Sequence, residues 1–259
     1  AKVQLWAGKE FGPIKLLRWS QLNAKFANND LTNFGGMVKW RYEKWLEGSL
    51  NVKDSSTPTS ISGDANANLK VDKVWGPFTM KAGGGLKIGV ENNALGKFGG
   101  NVAFGYDKWI SGNLEIDGSS TQDSISGTGT AKLEQDKTLA GPLALKKGGN
   151  LTVGVKKSSV DKFGGEVNVS YEDWAKGSLK LQGEGSLDSL NGTAQITLTK
   201  AHKIRSVNLQ KGSGAQASIQ TSSLKTLTGS VKFDFMDTVE GKMNLASGST
   251  LDKVGGDVQ

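Results

Sequence analysis

One pattern recurs along this chain at an almost constant interval. Phe34-Gly35-Gly36, Phe98-Gly99-Gly100 and Phe163-Gly164-Gly165 are its full copies, and a degraded one, Leu227-Thr228-Gly229, follows at the same interval. Downstream of each lies a second pair: Tyr42 with Trp45, Tyr106 with Trp109, Tyr171 with Trp174, and last Phe235 with Thr238. A period of about 64 residues marks a repeat architecture, in which one unit cannot bury its apolar face alone and stacked units can. The segment ahead of Phe34 aligns with the next copy without a gap, Gly12-Pro13 on Gly76-Pro77 and Asn28-Asn29 on Asn92-Asn93. The expected organisation is one repetitive domain over 1–259, with units 34–97, 98–162 and 163–226 flanked by partial units 1–33 and 227–259. The chain starts and stops at nearly the same phase, with Ala1 and Gln259 in predicted strands and Leu251-Asp252 falling on Leu187-Asp188. Two arrangements meet that expectation: a piece of a longer array, or two ends that complete one unit between them.

Inside each unit the apolar period is two, the strand period. Val38, Trp40 and Tyr42 alternate with Lys39 and Arg41; the copies read Val102, Phe104, Tyr106, then Val167, Val169, Tyr171, then Val231, Phe233, Phe235. Leu46, Gly48, Leu50 and Val52 form the next run, Ala65, Ala67, Leu69 and Val71 a third, and Leu86, Ile88 and Val90 a fourth, with a short run at Phe78 and Met80. Each unit thus supplies four or five short strands with one apolar face, as antiparallel sheets have. The Phe-Gly-Gly element reads as a turn in which glycine supplies positive φ. Gly48, Gly112, Gly177 and Gly241 recur mid-strand on the apolar face, where glycine marks close approach of another group. The neighbouring aromatics Tyr42, Tyr106, Tyr171 and Phe235 are the expected covers. Phe34, Phe98 and Phe163, with Trp45, Trp109 and Trp174, complete the expected repeat-packing set. Loops such as Asp123-Ser124-Ile125-Ser126-Gly127 read as Asx turns, since no second carboxylate at a fixed offset completes a calcium cage.

The chemistry the composition allows is narrow. There is no cysteine, so disulfides, thiol nucleophiles and thiolate metal sites are excluded together. The lone His202 cannot build a zinc site and reads as a solvated loop residue. No cofactor is expected. The net charge is +7, but lysines alternate with carboxylates and only Arg18, Arg41 and Arg205 are arginines. Weak attraction to anionic surfaces fits this balance better than specific nucleic-acid reading. Candidate carboxylates such as Asp107 and Glu115 recur at equivalent turns and polar faces, which solvated surfaces produce. General acid–base work needs two positioned groups in one pocket, so no enzyme is expected. Trp6 and Trp75, at polar positions, could stack on sugars but hold no shared phase. No leader peptide opens the sequence, and no run has the length of a membrane helix.

The repeated apolar face must be covered. An all-β, extended antiparallel meander of four ~64-residue repeats curled into an elongated roll or sandwich does so. A membrane β-barrel is the alternative, but its strands need about 9–11 residues of alternation, and most runs here hold three or four apolar positions. A lipid-binding trough is a further alternative, with Trp40, Phe104 and Phe233 expected to fill the space instead.

The pattern Phe-Gly-Gly-x-Val-x-φ-x-Tyr-x-x-Trp-x-x-Gly-x-Leu, where φ is aromatic or Val, resembles the degenerate β-repeats of very large secreted bacterial proteins. These include polymorphic toxins and proteins associated with extracellular contractile injection systems. The resemblance covers nearly the whole chain and implies a secreted or cell-surface scaffold, shaft or shell. Its partners would be neighbouring repeats or other domains of the same protein. The fourth copy departs from the pattern and reads as a worn end of the array.

Overall fold

The computed structural model describes residues 1–138, 142–185, 189–250 and 252–258. The expectations placed on Leu187, Asp188, Leu251 and Gln259 lie outside the described residues. Twenty-five strands and no helix occur among the described residues, in one antiparallel meandering sheet that is not closed into a barrel. Strand β1 (Lys2–Gln4) precedes four sets of six. The first set is β2 (Lys9–Phe11), β3 (Ile14–Leu16), β4 (Gln21–Ala27), β5 (Asp30–Tyr42), β6 (Leu46–Ser56) and β7 (Gly63–Leu69). The second is β8 (Lys73–Trp75), β9 (Phe78–Met80), β10 (Gly85–Glu91), β11 (Ala94–Tyr106), β12 (Ile110–Ser120) and β13 (Gly127–Leu133). The third is β14 (Lys137–Thr138), β15 (Leu143–Leu145), β16 (Gly148–Lys156), β17 (Ser159–Tyr171), β18 (Ala175–Gly185) and β19 (Gly192–Leu198). The fourth is β20 (His202–Ile204), β21 (Val207–Leu209), β22 (Gly214–Gln220), β23 (Ser223–Phe235), β24 (Val239–Ser249) and β25 (Gly256–Val258). Two compact units share these sets: 1–107 with 112–129 and 155–159, and 108–111 with 130–154 and 160–259.

Each set holds six strands, not four or five, because the short Phe78–Met80 run is half of a hairpin with its own partner. Four strands form the meander and two form that hairpin. In the first unit, the early half of β11 pairs with β10 (Phe98 opposite Ile88), while its late half pairs with β9 (Phe104 opposite Met80). Strand β5 does the same with β4 and β3, and in the second unit β23 does so with β22 and β21. One edge of each long strand therefore serves two partners.

The fork falls just downstream of the Phe-Gly-Gly element, between Asn101 and Phe104 in β11. This element is not a turn between strands: it lies inside a continuous strand of 13 residues and bends it. The expected positive φ is present at the second glycine, 122° at Gly36, 142° at Gly100, 97° at Gly165 and 114° at Gly229. Strand register shifts across the same point, from Phe34 opposite Ser56 to Gly36 opposite Val52. A long strand with irregular pairing escapes a reading by runs, because the bulge breaks the period of two. The longest strands also exceed the length expected from the apolar runs, so strand length is no argument against a barrel.

Downstream of the bend the alternation is the expected one. Val38, Trp40 and Tyr42 are buried while Met37, Lys39 and Arg41 are exposed. The short hairpin closes over this face: Phe78 stacks on Phe104 at 5.6 Å, and Phe78 and Met80 are fully buried. Its Gly-Pro turn is tied to the end of the long strand by the Asp107 amide on the Pro77 carbonyl (2.8 Å), repeated at Glu43–Pro13 and Glu172–Pro142. A Cβ at Gly100 would run into the Gly85 carbonyl, whereas one at Gly118, on the facing strand, meets nothing within 4 Å. Gly100→Ala should therefore cost about 1–3 kcal/mol, and Gly118→Ala should stay within about 0.5 kcal/mol. Denaturant midpoints at unchanged slope check both.

Candidate functional site

The residues singled out by the repeat converge on the places where strands of successive copies meet. In the first copy Tyr42 meets Trp45 edge-to-face at 5.9 Å, and Trp75 meets Trp45 at 6.1 Å. Phe34 and Trp45 are buried. In the second copy Trp109 stacks on Phe163 at 6.3 Å; in the third Trp174 meets Tyr171 at 5.5 Å. Phe98, Trp109, Phe163 and Trp174 are buried, Tyr106 and Tyr171 half-buried, and Phe235 is 40% exposed because Thr238 replaces its tryptophan. Burial raises the Tyr171 hydroxyl above its ordinary value, with the nearby Glu172 carboxylate adding to it.

Each tryptophan also carries a cap. Lys73 Nζ lies 5.2 Å from the Trp45 ring, Lys137 Nζ lies 5.2 Å from the Trp109 ring, and the His202 ring stacks on Trp174 at 4.0 Å and 17°. His202 is thus not a solvated loop residue. It sits in β20, paired with Leu209, at the position its repeat uses to cover the indole. Lys73, Lys137 and His202 recur at the interval of the Phe-Gly-Gly element, and that was the available signal. Identity hid it, since histidine and lysine share a cation–π or stacking role rather than a shape.

The mid-strand glycines face the apolar side, but no tyrosine covers them. Trp40 stands opposite Gly48, Val169 opposite Gly177 and Phe233 opposite Gly241, while Tyr42 opposes Leu46. The close group is backbone: a Cβ on Gly48 would meet the Asn66 carbonyl and Ala67 Cα, and one on Gly177 the Gln195 carbonyl. Gly112 holds the same half-buried place in β12.

The loops before β7, β13 and β19 contain a joint that the sequence reading missed. Ile61, Ile125 and Leu190 project from them and are essentially fully buried. Each is held by the hairpin turn of the next set. The Ile61 amide donates to Asn93 Oδ1 (2.7 Å), that of Ile125 to Ser158 Oγ (3.1 Å) and that of Leu190 to Ser222 Oγ (3.0 Å). The turn amides return the bond to the Ile61, Ile125 and Leu190 carbonyls at 2.8–3.0 Å. Both central residues of these turns have positive φ, as a two-residue type I′ hairpin needs. Buried Ser56 and Ser120 pin the loops before β7 and β13, and Ser249 pins the loop before β25, each accepting an amide and donating to a carbonyl further along its loop; the third copy has Gly185 at that place. Asp123, expected to cap its loop, is exposed, and the serine does that work.

A groove of about 1060 Å³ in the first unit has glycines 85, 89, 99 and 118 in its floor and Asp64, Lys87 and Lys97 in its walls. Asp64 is its one carboxylate. Among the described residues no three His, Cys, Asp or Glu gather as a metal would need. Repeated ion pairs fix the loops instead. Asp72 accepts from Lys81 Nζ (2.8 Å) and the Ala82 amide (2.9 Å), and Asp136 from Lys146 Nζ (2.9 Å) and the Lys147 amide (2.8 Å). The Lys81 ammonium holds the Asp72 carboxyl below its ordinary value, as the Lys147 amide does for Asp136. Trp75 is committed to the Trp45 cluster. Trp6 is 75% exposed and meets Trp19 edge-to-face at 5.3 Å. Trp19 has φ 70° where the other copies place Gly83, Gly148 and Gly212.

No protein-family model, curated protein or solved structure matches this chain.

Two measurements test the buried indole and the loop ion pairs. Trp40 is fully buried with its indole N–H unpaired, and copies two and four carry phenylalanine at that place. Relief of an unmet donor, worth about 1–3 kcal/mol, offsets the lost volume. Trp40→Phe should change stability by less than about 1 kcal/mol, against about 3–5 kcal/mol for Trp40→Ala. Asp72 and Asp136 have folded values below the unfolded value of about 3.9, so their stabilisation is present above that pH and lost as pH falls through the folded value. Asp72→Asn and Asp136→Asn should lower Tm at pH 7, and the gap to the parent should close on acidification below about pH 4.

Proposed function

We propose that this chain is a non-catalytic structural repeat region, a shaft, shell or scaffold of a large secreted bacterial protein. The observation that carries the reading is the joint itself. The same plug and turn recur at three successive joints, while the polar faces, which drift in sequence, gather no unique polar cluster among the described residues. An element copied at every joint serves shape and mechanical continuity; a reaction centre needs one constellation in one place. The resemblance of the Phe-Gly-Gly pattern to β-repeats of secreted bacterial proteins supports the setting. A lipid trough has less support, because Trp40, Phe104 and Phe233 are buried in the space it would need.

A scaffold made this way transmits stability from copy to copy. Ile125→Ala should cost about 2–5 kcal/mol as a buried deletion. Ser158→Ala should cost about 1–3 kcal/mol by leaving the Ile125 amide unpaired. A double-mutant cycle should show coupling of about 0.5–3 kcal/mol between them. Additive losses would remove the joint from the argument. A hydrolytic activity abolished by changing one carboxylate would overturn the non-catalytic reading.

A further inference from the structure

We propose that the polar face of the first unit is a binding trough for an acidic polysaccharide, which lies across the strands on a row of ammonium, hydroxyl and amide groups. The proposal goes beyond the structural-repeat reading, because it gives the repeats a ligand as well as a shape.

The registers place the row residue by residue. Lys39 of β5 stands opposite Ser49 of β6, and Ser49 opposite Asn66 of β7. Asn66 in turn stands opposite Lys87 of β10, and Lys87 opposite Gly99 of β11. Their neighbours along the strands, Val38, Leu50, Ala65, Ala67, Leu86 and Ile88, are buried. Alternation therefore turns the whole row outward. Lys39, Asn66 and Lys87 are exposed and Ser49 is half-buried. Strands β5, β6, β7 and β10 are each paired on both edges, so the row crosses the middle of the sheet.

The row lies in a depression. The groove of about 1060 Å³ shares Gly48, Ser49 and Asn68 with a second of about 350 Å³, which continues past Lys39 and Lys70 to Leu17. The two form one trough across the strands. At about 4.8 Å per strand, the backbones of Lys39 and Lys87 stand about 14 Å apart along it. Its floor is bare where Gly85, Gly89, Gly99 and Gly118 fall together. The first copy has Gln21, Lys25, Gly35 and Asp54 at those places. Sites for small molecules are mostly apolar and enclose their ligand. A long, open, polar trough suits a chain instead.

Its chemistry selects the kind of chain. Lys39, Lys70, Lys87 and Lys97 line it, and among the described residues none of their ammonium groups has an ion pair. Two carboxylates line it as well. Glu47 is held by Arg41 at 2.8 Å, and Asp64 is left to face four cations. The amides of Asn66, Asn68 and Asn101 give donors and acceptors that match sugar hydroxyls, and the ammonium groups match carboxylates by charge-assisted hydrogen bonds. Nucleic acid fits less well. No arginine lines the trough for phosphate, and Phe98, its one aromatic residue, is buried and closed to base stacking. The groups are spaced along the trough rather than gathered at one point, so they hold a chain without reacting with it.

The charge of the row belongs to this copy. The next copy has Ala103, Asn113, Thr130 and Thr152 in its place. The third has Asn168, Ser178, Gln195 and Gln216, each opposite the next as in the first, and all neutral. The backbone pattern is thus kept while the cations are confined to one row, which a general demand for solubility would not produce.

A fluorescent octagalacturonate titrated into the full chain at low salt, and followed by anisotropy, tests the proposal. It should bind the parent and be released as salt rises. Lys39→Gln with Lys87→Gln should weaken binding at least about tenfold, and Asn66→Ala about two- to tenfold. Lys176→Gln with Lys180→Gln, at exposed positions of β18, removes the same charge and should change binding less than about twofold. Circular dichroism and Tm should be unchanged in all three variants. A parent that shows no binding at about 1 mM overturns the proposal. An equal loss in the Lys176 and Lys180 variant also overturns it, since net charge alone would then account for binding. So does uncharged dextran bound as tightly as the acidic probe, or an oligo-dT bound more tightly through Lys39 and Lys87. The Ile125–Ser158 coupling lies outside the trough, so lack of binding leaves the structural reading standing, and additive losses at that joint leave the trough standing.

Discussion

The bend at Phe-Gly-Gly is the constraint on which the rest of the structure depends. A straight strand of the same length would offer one edge to one partner. At Gly36, Gly100, Gly165 and Gly229 the backbone takes a positive φ that residues with a Cβ rarely adopt. Adjacent glycines let neighbouring backbone come close: a Cβ on Gly99 would meet Gly118 Cα, and one on Gly164 would meet Gly183 Cα. The two halves of the strand then pair with different neighbours, one leading to the preceding copy and one to a short hairpin. That hairpin folds over the apolar face and makes it a core. Without the bend the sheet would leave that face exposed.

Once the face is covered, the copies need to be held in phase. Burial of Ile61, Ile125 and Leu190 supplies apolar area, but area is not directional. The reciprocal hydrogen bonds with Asn93, Ser158 and Ser222 supply direction, each matching one buried amide and one carbonyl acceptor. The tryptophans work alongside. Their rings fill the space between the long strand and the following loop, and their carbonyls accept the Lys70, Glu134 and Thr199 amides at 2.7–2.8 Å. The proposed structural role rests on this: the recurring groups are spent on each other.

Much of the fold was legible. The period, the one-sided alternation and the aromatic positions are local properties, and Val38, Trp40 and Tyr42 face inward as their spacing requires. The Phe-Gly-Gly element misled because glycine pairs signal hairpin turns and strand bulges alike, and only pairing partners tell them apart. His202 misled because its counterparts are lysines, and its role depends on the indole of Trp174, from which β18 and β19 separate it along the chain. The serine pins and turn clamps were invisible as function: Ser56, Ser120 and Ser158 look like loop residues until their partners, across a gap in sequence, are known.

The sequence by itself determined that the chain is a set of antiparallel strands with one apolar face, copied at a near-constant interval, without thiol chemistry. Those are consequences of side-chain periodicity and composition, which each residue carries wherever it goes. Only the tertiary structure decided that the glycine pair bends a strand, that a hairpin flap covers the face, and that loop residues lock into the next copy's turn. Each of these depends on which backbone lies beside which. Hydrogen bonds and close approach are made between segments whose separation along the chain leaves no local trace.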